Sequence, residues 1–198
     1  GDGERHVQDP MTKLVLASAS PRRQQLLAQI SITPDAIEPA DIDETPNANE
    51  PPRLYAERLG VEKAAAVHQA GQYTIAGDTV VALGRRILPK AETNEDVRDC
   101  LNLISGRAHH VMTAVCVMAP GGEMAIRLSD TRVTVKRLSD AEIEAYIESG
   151  EGIGKAGGYA IQGLFGAYIR QISGSCTGVM GLPVFETAQL LTGLGYRL

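Results

Sequence analysis

Six residues at the end of an apolar run carry the first chemical signal. Leu14-Val15-Leu16-Ala17 leads into Ser18-Ala19-Ser20-Pro21-Arg22-Arg23 and on into Gln24-Gln25-Leu26-Leu27. The order reads as buried strand, turn and helix, with Ser20 suited to the N-cap and Pro21 to the first helical position. Such a turn gathers free backbone N–H groups, two hydroxyls and two guanidinium forks, which together favour a tetrahedral oxyanion such as phosphate. A capped helix with two solvated arginines would look the same over these six residues, so the rest of the chain has to decide.

Four further charged residues suit phosphoryl chemistry. Glu44 lies in the acidic stretch Asp41-Ile42-Asp43-Glu44-Thr45, Lys63 on a helix, Asp78 after a short apolar strand, and Lys90 at the start of a loop. Phosphoryl transfer needs cations on non-bridging oxygens, carboxylates for a divalent ion and a base to activate water. All three kinds are present. Taken singly, Glu44, Lys63 and Lys90 read as solvated charges, and Asp78-Thr79 as a bulge with a satisfied carboxylate.

Several other chemistries fail on context. Gly152-Ile153-Gly154-Lys155-Ala156-Gly157 fits the dinucleotide pattern letter for letter, yet it follows a helix and not a strand. Lys155-Ala156 lacks the Ser or Thr that a phosphate loop needs after its lysine. His109 and His110 are adjacent on a strand and so point to opposite faces, with no third ligand nearby. No Gly-x-Ser-x-Gly elbow is present, and no His is paired with a nucleophile.

Composition narrows the rest. The chain has 198 residues, 43% of them hydrophobic, enough for one sizeable core or two small lobes. A net charge of -5 excludes a nucleic-acid surface built on broad basicity, so positive charge used on phosphates has to be local. Cys100, Cys116 and Cys176 are odd in number and lack C-x-x-C spacing, as in a reducing compartment. No run reaches the length of a membrane span, and no membrane partner is expected. A cytoplasmic location is therefore expected. Gly1 to Pro10 are polar and unpatterned ahead of Met11, and are expected to be an expression remnant before a single domain over 11–198.

The elements that must position these residues alternate. Helices are expected over Pro21 to Ile30 and Arg53 to His68, the second with Leu54, Val61, Ala64, Ala65 and His68 on its apolar face, Gly60 weakening its middle, and its charged residues mostly solvated. Tyr73 to Ala76 reads as a strand ended by Gly77-Asp78-Thr79, with Val80 to Leu83 resuming and Arg86 to Pro89 returning after Gly84. Thr93 caps a helix on which Val97, Cys100, Leu101 and Ile104 repeat at helical spacing. Val111 to Ala119 and Met124 to Lys136 form a long hairpin around Pro120-Gly121-Gly122. Ser139-Asp140-Ala141-Glu142 is a capping box, and its helix ends at Gly150. A strand from Ala167 to Ile172 and a helix from Pro183 to Leu191 close the chain. The result is an α/β fold with a twisted mixed sheet flanked by helices.

Taken in order, these blocks resemble one family. They are Ser18-Ala19-Ser20-Pro21-Arg22-Arg23, Asp43-Glu44-Thr45, Glu62-Lys63-Ala64, Gly77-Asp78-Thr79-Val80-Val81, Lys90, Ser105-Gly106-Arg107-Ala108-His109, Gly154 to Gly163 and Gly181-Leu182-Pro183. From Met11 to Leu198 the chain resembles the Maf family of nucleoside triphosphate pyrophosphatases. The resemblance implies two lobes with a central cleft, as in inosine-triphosphate pyrophosphatases, and cleavage between the α and β phosphates with a divalent cation, Mg²⁺ or Mn²⁺. It associates Thr79, Gln162 and Arg22 with base choice and points to the branch acting on dTTP and UTP; the branch taking 7-methyl-GTP differs at the first two. Two departures stand out: Ala91 follows Lys90 where relatives have proline, and Cys176-Thr177-Gly178 stands where relatives tend to have an aromatic residue.

On this reading Asp78 is the general base and, with Glu44, the metal ligand. Ser18, Ser20, Arg22, Arg23, Lys63 and Lys90 meet the nucleotide and its departing pyrophosphate. The cations around Asp78 are expected to lower its pKa, which weakens a base. The substrate is a nucleoside triphosphate, and a homodimer is compatible with the sequence. Two alternatives follow from the same resemblance: a nucleotide-binding regulator of septum formation with little catalysis, and a purine-directed pyrophosphatase of the inosine-triphosphate type.

Overall fold

A computed structural model describes residues 12–198, so the expected remnant over 1–10 and the start at Met11 lie outside the described residues. Strand β1 (Lys13–Leu16) runs through the capped turn into helix α1 (Pro21–Gln29), and β2 is only Ala36–Ile37. Helix α2 (Pro52–Val67) leads to β3 (Gln72–Leu83), which turns into β4 (Arg86–Leu88). Helix α3 (Asn94–Ile104) precedes the hairpin of β5 (Ala108–Met118) and β6 (Met124–Val135). Then follow α4 (Asp140–Ser149), β7 (Ile169–Ser173), α5 (Cys176–Met180) and α6 (Val184–Gly193).

The seven strands form one mixed sheet in the order β2-β1-β3-β5-β6-β7, with β4 on β3. β1 is parallel to β2 and β3, and the remaining pairs are antiparallel. Because side chains alternate along a strand, Ile75 and Val81 share one face of β3. Two separate apolar cores cover that face. Ile75 belongs to one, with Leu26 and Leu27 of α1 and Leu190 and Leu191 of α6. Val81 belongs to the other, with Val97 and Leu101 of α3, Tyr146 of α4 and Phe165. The two lobes are these two helical groups, and the middle of β3 is the floor between them.

Helix α2 covers the opposite face, and its buried stripe differs from the one its spacing predicts. Leu54, assigned to the core, is 53% exposed, while Ala56, Leu59, Gly60 and Ala64 are buried. Gly60 lies on the buried face: a Cβ there would stand 3.4 Å from Ala114 Cβ on β5. A stripe of small residues brings the helix close to the sheet. His68, from the expected apolar face, is half-buried, and its Nδ1 lies 2.7 Å from Thr74 Oγ1. Gly77-Asp78-Thr79 does not interrupt β3, because β5 pairs with it continuously from Thr74 to Ala82.

The expected capping box forms at Ser139 with Glu142, and the expected cap at Thr93 is completed to a second box by Asp96. His109 is buried, 2.6 Å from the Tyr159 hydroxyl, and desolvation pushes its pKa down to about 4; His110 faces Asp130 outside. The last strand begins two residues late, after a 3-10 turn over Leu164–Tyr168. Glu151 dictates that turn by accepting from the backbone N–H of Leu164 at 2.9 Å and of Phe165 at 3.5 Å. Phe165, fully buried, stacks on Tyr159 at 4.5 Å and meets Tyr146 edge-on at 5.1 Å. Phe165→Ala is expected to cost about 3–5 kcal/mol in urea unfolding; a loss below about 1 kcal/mol would show that this ring does not hold the second lobe together.

Candidate active site

The crevice arises where one edge of β3 is left unpaired. β1 pairs with β3 only as far as Leu16 opposite Ile75, and β4 takes the same edge from Val81 onward. Residues 76–80 border the space between, and the turn carrying Ser18 to Arg23 opens into it. Ligands of open α/β sheets bind beyond the carboxyl ends of strands in this way.

Arg23 comes from the first lobe and lies across Gly77, where a Cβ would stand 2.9 Å from its Nε. Only glycine admits that approach. The guanidinium donates from Nε to Gly181 O at 2.8 Å, from Nη1 to Ser18 Oγ at 3.1 Å and from Nη2 to Thr79 Oγ1 at 3.3 Å. Ser20 performs the expected cap, its oxygen accepting from Arg23 N at 3.4 Å.

Asp78 points to the other face of β3, toward α2. Lys63 Nζ donates to Asp78 Oδ1 at 3.0 Å and stands 2.9 Å from Glu44 Oε1, so one ammonium joins two carboxylates. Glu44 is held by its loop: Tyr55 donates to Glu44 O at 2.5 Å, and Arg58 donates to Thr45 O at 3.2 Å and to Glu50 Oε2 at 2.7 Å. Arg58, expected to be solvated, is the pin of the acidic loop. Asp78 Oδ2 is buried without a hydrogen-bond partner.

The pKa of Asp78 is raised, opposite to the expectation from its neighbours. Burial favours the neutral acid, and that outweighs the attraction of Lys63 and Arg23, with Glu44 adding repulsion. The expectation counted charges and left out dehydration.

Arg22 and Gln162 meet across the lobes. A guanidinium only donates, so the amide turns its oxygen to Arg22, accepting from Nη2 at 2.6 Å and Nε at 2.9 Å. Lys90 stands apart: it is exposed and forms no ion pair among the described residues. Its backbone bridges to Ala156, which ties it to the glycine-rich loop, and Ala91 is buried in the second core. The Cys176-Thr177-Gly178 segment is helix α5, and Gly178 sits so close to Ser129 that a Cβ would come within 2.3 Å of its Oγ.

Sequence reasoning missed Arg58, Tyr55 and Thr113. Helical i,i+4 spacing signals only the Arg58–Glu62 pair; the partners that hold the acidic loop, Glu50 and the backbone oxygens of Glu44 and Thr45, have no spacing that links them to Arg58 or Tyr55. Thr113 did leave a signal, as the one hydroxyl within Val111-Met112-Thr113-Ala114-Val115.

Fold and site together define an α/β protein with a crevice, lined by Ser18, Arg23 and Thr79, opened at the end of a parallel strand pair. Residues 13–194 match the family described as Maf-like protein, and the chain belongs to that family. It is similar to a dTTP/UTP pyrophosphatase of Caulobacter vibrioides, 58% identical over 93% of this chain and 96% of the other. A dTTP/UTP pyrophosphatase of Mesorhizobium japonicum is 53% identical over 95% and 94%. A solved nucleoside-triphosphatase / dITP/XTP pyrophosphatase of Mycobacterium abscessus overlaps more loosely, with a TM-score of 0.43 and 16% identity over 64% of this chain and 76% of its own.

The raised pKa of Asp78 has a sign that stability measurements can read. The native state holds the proton more tightly than the unfolded chain, so this group stabilises the fold below the ordinary value of 3.8, and that contribution is lost as pH rises through the raised value. Asp78→Asn is therefore expected to unfold at higher urea than the parent at pH 7, with the gap closing below pH 3.8. A variant less stable than the parent at neutral pH would contradict the desolvation account.

Proposed function

We propose that this chain hydrolyses dTTP and UTP to the nucleoside monophosphate and pyrophosphate. The observation that carries the reading is Asp78: buried, with one carboxylate oxygen unpartnered, its pKa raised, and standing beside Lys63 and the Arg23 guanidinium. A carboxylate held short of water and tuned upward is a better proton acceptor than an exposed one. The activity for which the two relatives above are named supports the substrate class.

In the proposed reaction a water attacks the α-phosphorus and gives its proton to Asp78. The bond to the oxygen bridging the α and β phosphates breaks, and that oxygen leaves on pyrophosphate. Lys63, Arg23 and Lys90 neutralise the triphosphate, and Ser18 with the N-capped turn of Ser20 offers it hydrogen bonds. The described residues also fit a small divalent cation, Mg²⁺ or Mn²⁺. Asp78, through its unpartnered oxygen, and Glu44 would hold it, since such ions take one or two carboxylates and complete their shell with phosphate oxygens and waters. When bound it supplies further charge neutralisation on the phosphates.

Thr79 and Gln162 read the base, and Arg22 fixes Gln162 with its oxygen toward the first lobe. The three thiols are unpaired, and Cys100 and Cys116 are buried with pKa values pushed up to about 11, so both are inert. We place the protein in the cytoplasm on that chemistry. Among the described residues no helix is long and apolar enough to cross a membrane.

Two measurements test the reading. Incubation with dTTP or UTP and Mg²⁺ or Mn²⁺ is expected to yield pyrophosphate and the monophosphate, with ITP and 7-methyl-GTP much poorer. Orthophosphate as the product would place the attack at the terminal phosphate and sink the mechanism. Asp78→Asn is expected to lower kcat by about 10²- to 10⁴-fold in a folded protein; near-parent turnover would remove Asp78 from the proton transfer.

A further inference from the structure

Thr79 stands in a chain of hydrogen bonds whose direction is fixed at both ends. Thr113 Oγ1 lies 2.6 Å from Gly178 O, and a carbonyl oxygen only accepts, so the Thr113 proton is spent there. The Thr79 and Thr113 hydroxyl oxygens are 3.0 Å apart, and the proton between them must therefore come from Thr79. At the other end, Arg23 Nη2 donates to Thr79 Oγ1. Thr79 has then given its proton and accepted one bond, and it retains one lone pair for whatever enters the crevice.

Ser18, on the other arm of the same guanidinium, is left the opposite way. Its oxygen accepts from Arg23 Nη1 at 3.1 Å and from Ser20 N at 3.2 Å, so its proton is what remains free. The fork of Arg23 is thus flanked by one hydroxyl that can still donate and one that can only accept. Thr113 sets the second. It is fully buried, it faces Thr79 in the β3–β5 register, and it has no surface of its own to offer a ligand.

We propose that Thr113 is a positioning residue that makes Thr79 an acceptor only, so that the base beside it must present a ring N–H, as uracil and thymine do at N3 and cytosine does not. The proposal rests on the reading in which Thr79 meets the base. A cytosine N3 there would face an acceptor with an acceptor, unless Thr79 turned its proton away from Thr113 and left that buried oxygen without its donor.

The test is kcat/KM for UTP and CTP on the parent, Thr113→Val and Thr113→Ser. Valine keeps the shape and removes the acceptor, freeing the Thr79 proton; serine keeps the hydroxyl. The parent is expected to favour UTP, the ratio of UTP to CTP to fall about tenfold in Thr113→Val, and Thr113→Ser to keep the parent ratio. Thr113→Ala, which loses the same acceptor, carries the measurement if the valine protein does not fold. A merely structural role would slow both nucleotides alike, so an unchanged ratio in the variant lacking the hydroxyl overturns the proposal. An equal fall in Thr113→Ser does so too. A parent that turns over no pyrimidine triphosphate fails the underlying reading and this inference with it; a parent active on UTP with an unchanged ratio in Thr113→Val removes the inference alone.

Discussion

The guanidinium of Arg23, laid across Gly77, is the contact on which the crevice depends. Its three donor bonds reach a turn at Gly181, the β1 exit at Ser18 and the floor of the sheet at Thr79. A charged group held this way is costly to bury unless every arm is satisfied, and here each arm has a partner. The same contact explains why a glycine stands in the middle of a largely buried strand, where its lack of a side chain would weaken the packing. Removing the Cβ at Gly77 makes room for a cation directly above the backbone that carries Asp78.

The two faces of β3 then present different chemistry at adjacent positions. Thr79 faces the lobes with neutral hydrogen-bonding capacity, and Asp78 faces α2 with charge. The unpaired edge between β1 and β4 lets both reach one crevice, which explains how Arg23 acts on the Asp78 carboxyl from the opposite face. Ala56, Gly60 and Ala64 of α2 are buried, and burial is the largest influence on the Asp78 carboxyl. Burial therefore outweighs charge in the proton affinity of this acid. The ion pair with Lys63 only moderates it.

The second lobe is organised by polar clamps around an aromatic cluster. Glu151 accepts from Tyr146 at 2.9 Å and from the backbone at Leu164, and Tyr146 in turn accepts from Ala160 N at 3.1 Å. These bonds fix the loop that carries Gln162, whose amide spans the lobes to Arg22. The glycine-rich run that imitates a dinucleotide motif is part of this clamp: a Cβ at Gly152 would lie 2.2 Å from Gly158 O. Gly152 serves close backbone packing, Gly157 a close approach to the Val81 side chain and Gly154 a positive φ of 80°, and no strand immediately precedes them.

What the sequence determined is what short-range chemistry enforces. Ser20 with Pro21, Thr93 with Asp96, and Ser139 with Glu142 start helices because a side chain three residues away satisfies an otherwise unpaired N–H. The β5–β6 hairpin was legible from two long runs around Pro120-Gly121-Gly122, whereas Arg22, Arg23, Lys63 and Asp78 stood out as candidates only when the charged residues were taken together with the ordered family blocks. The tertiary structure decided everything that depends on a partner far along the chain. It paired Arg23 with Gly181, put Gly60 against Ala114, left Leu54 outside, pinned the acidic loop with Arg58 and fixed the hydroxyl direction of Thr79. It also reversed the expected pKa shift of Asp78, because a sequence shows which charges exist, while only packing shows how much water is excluded from around them.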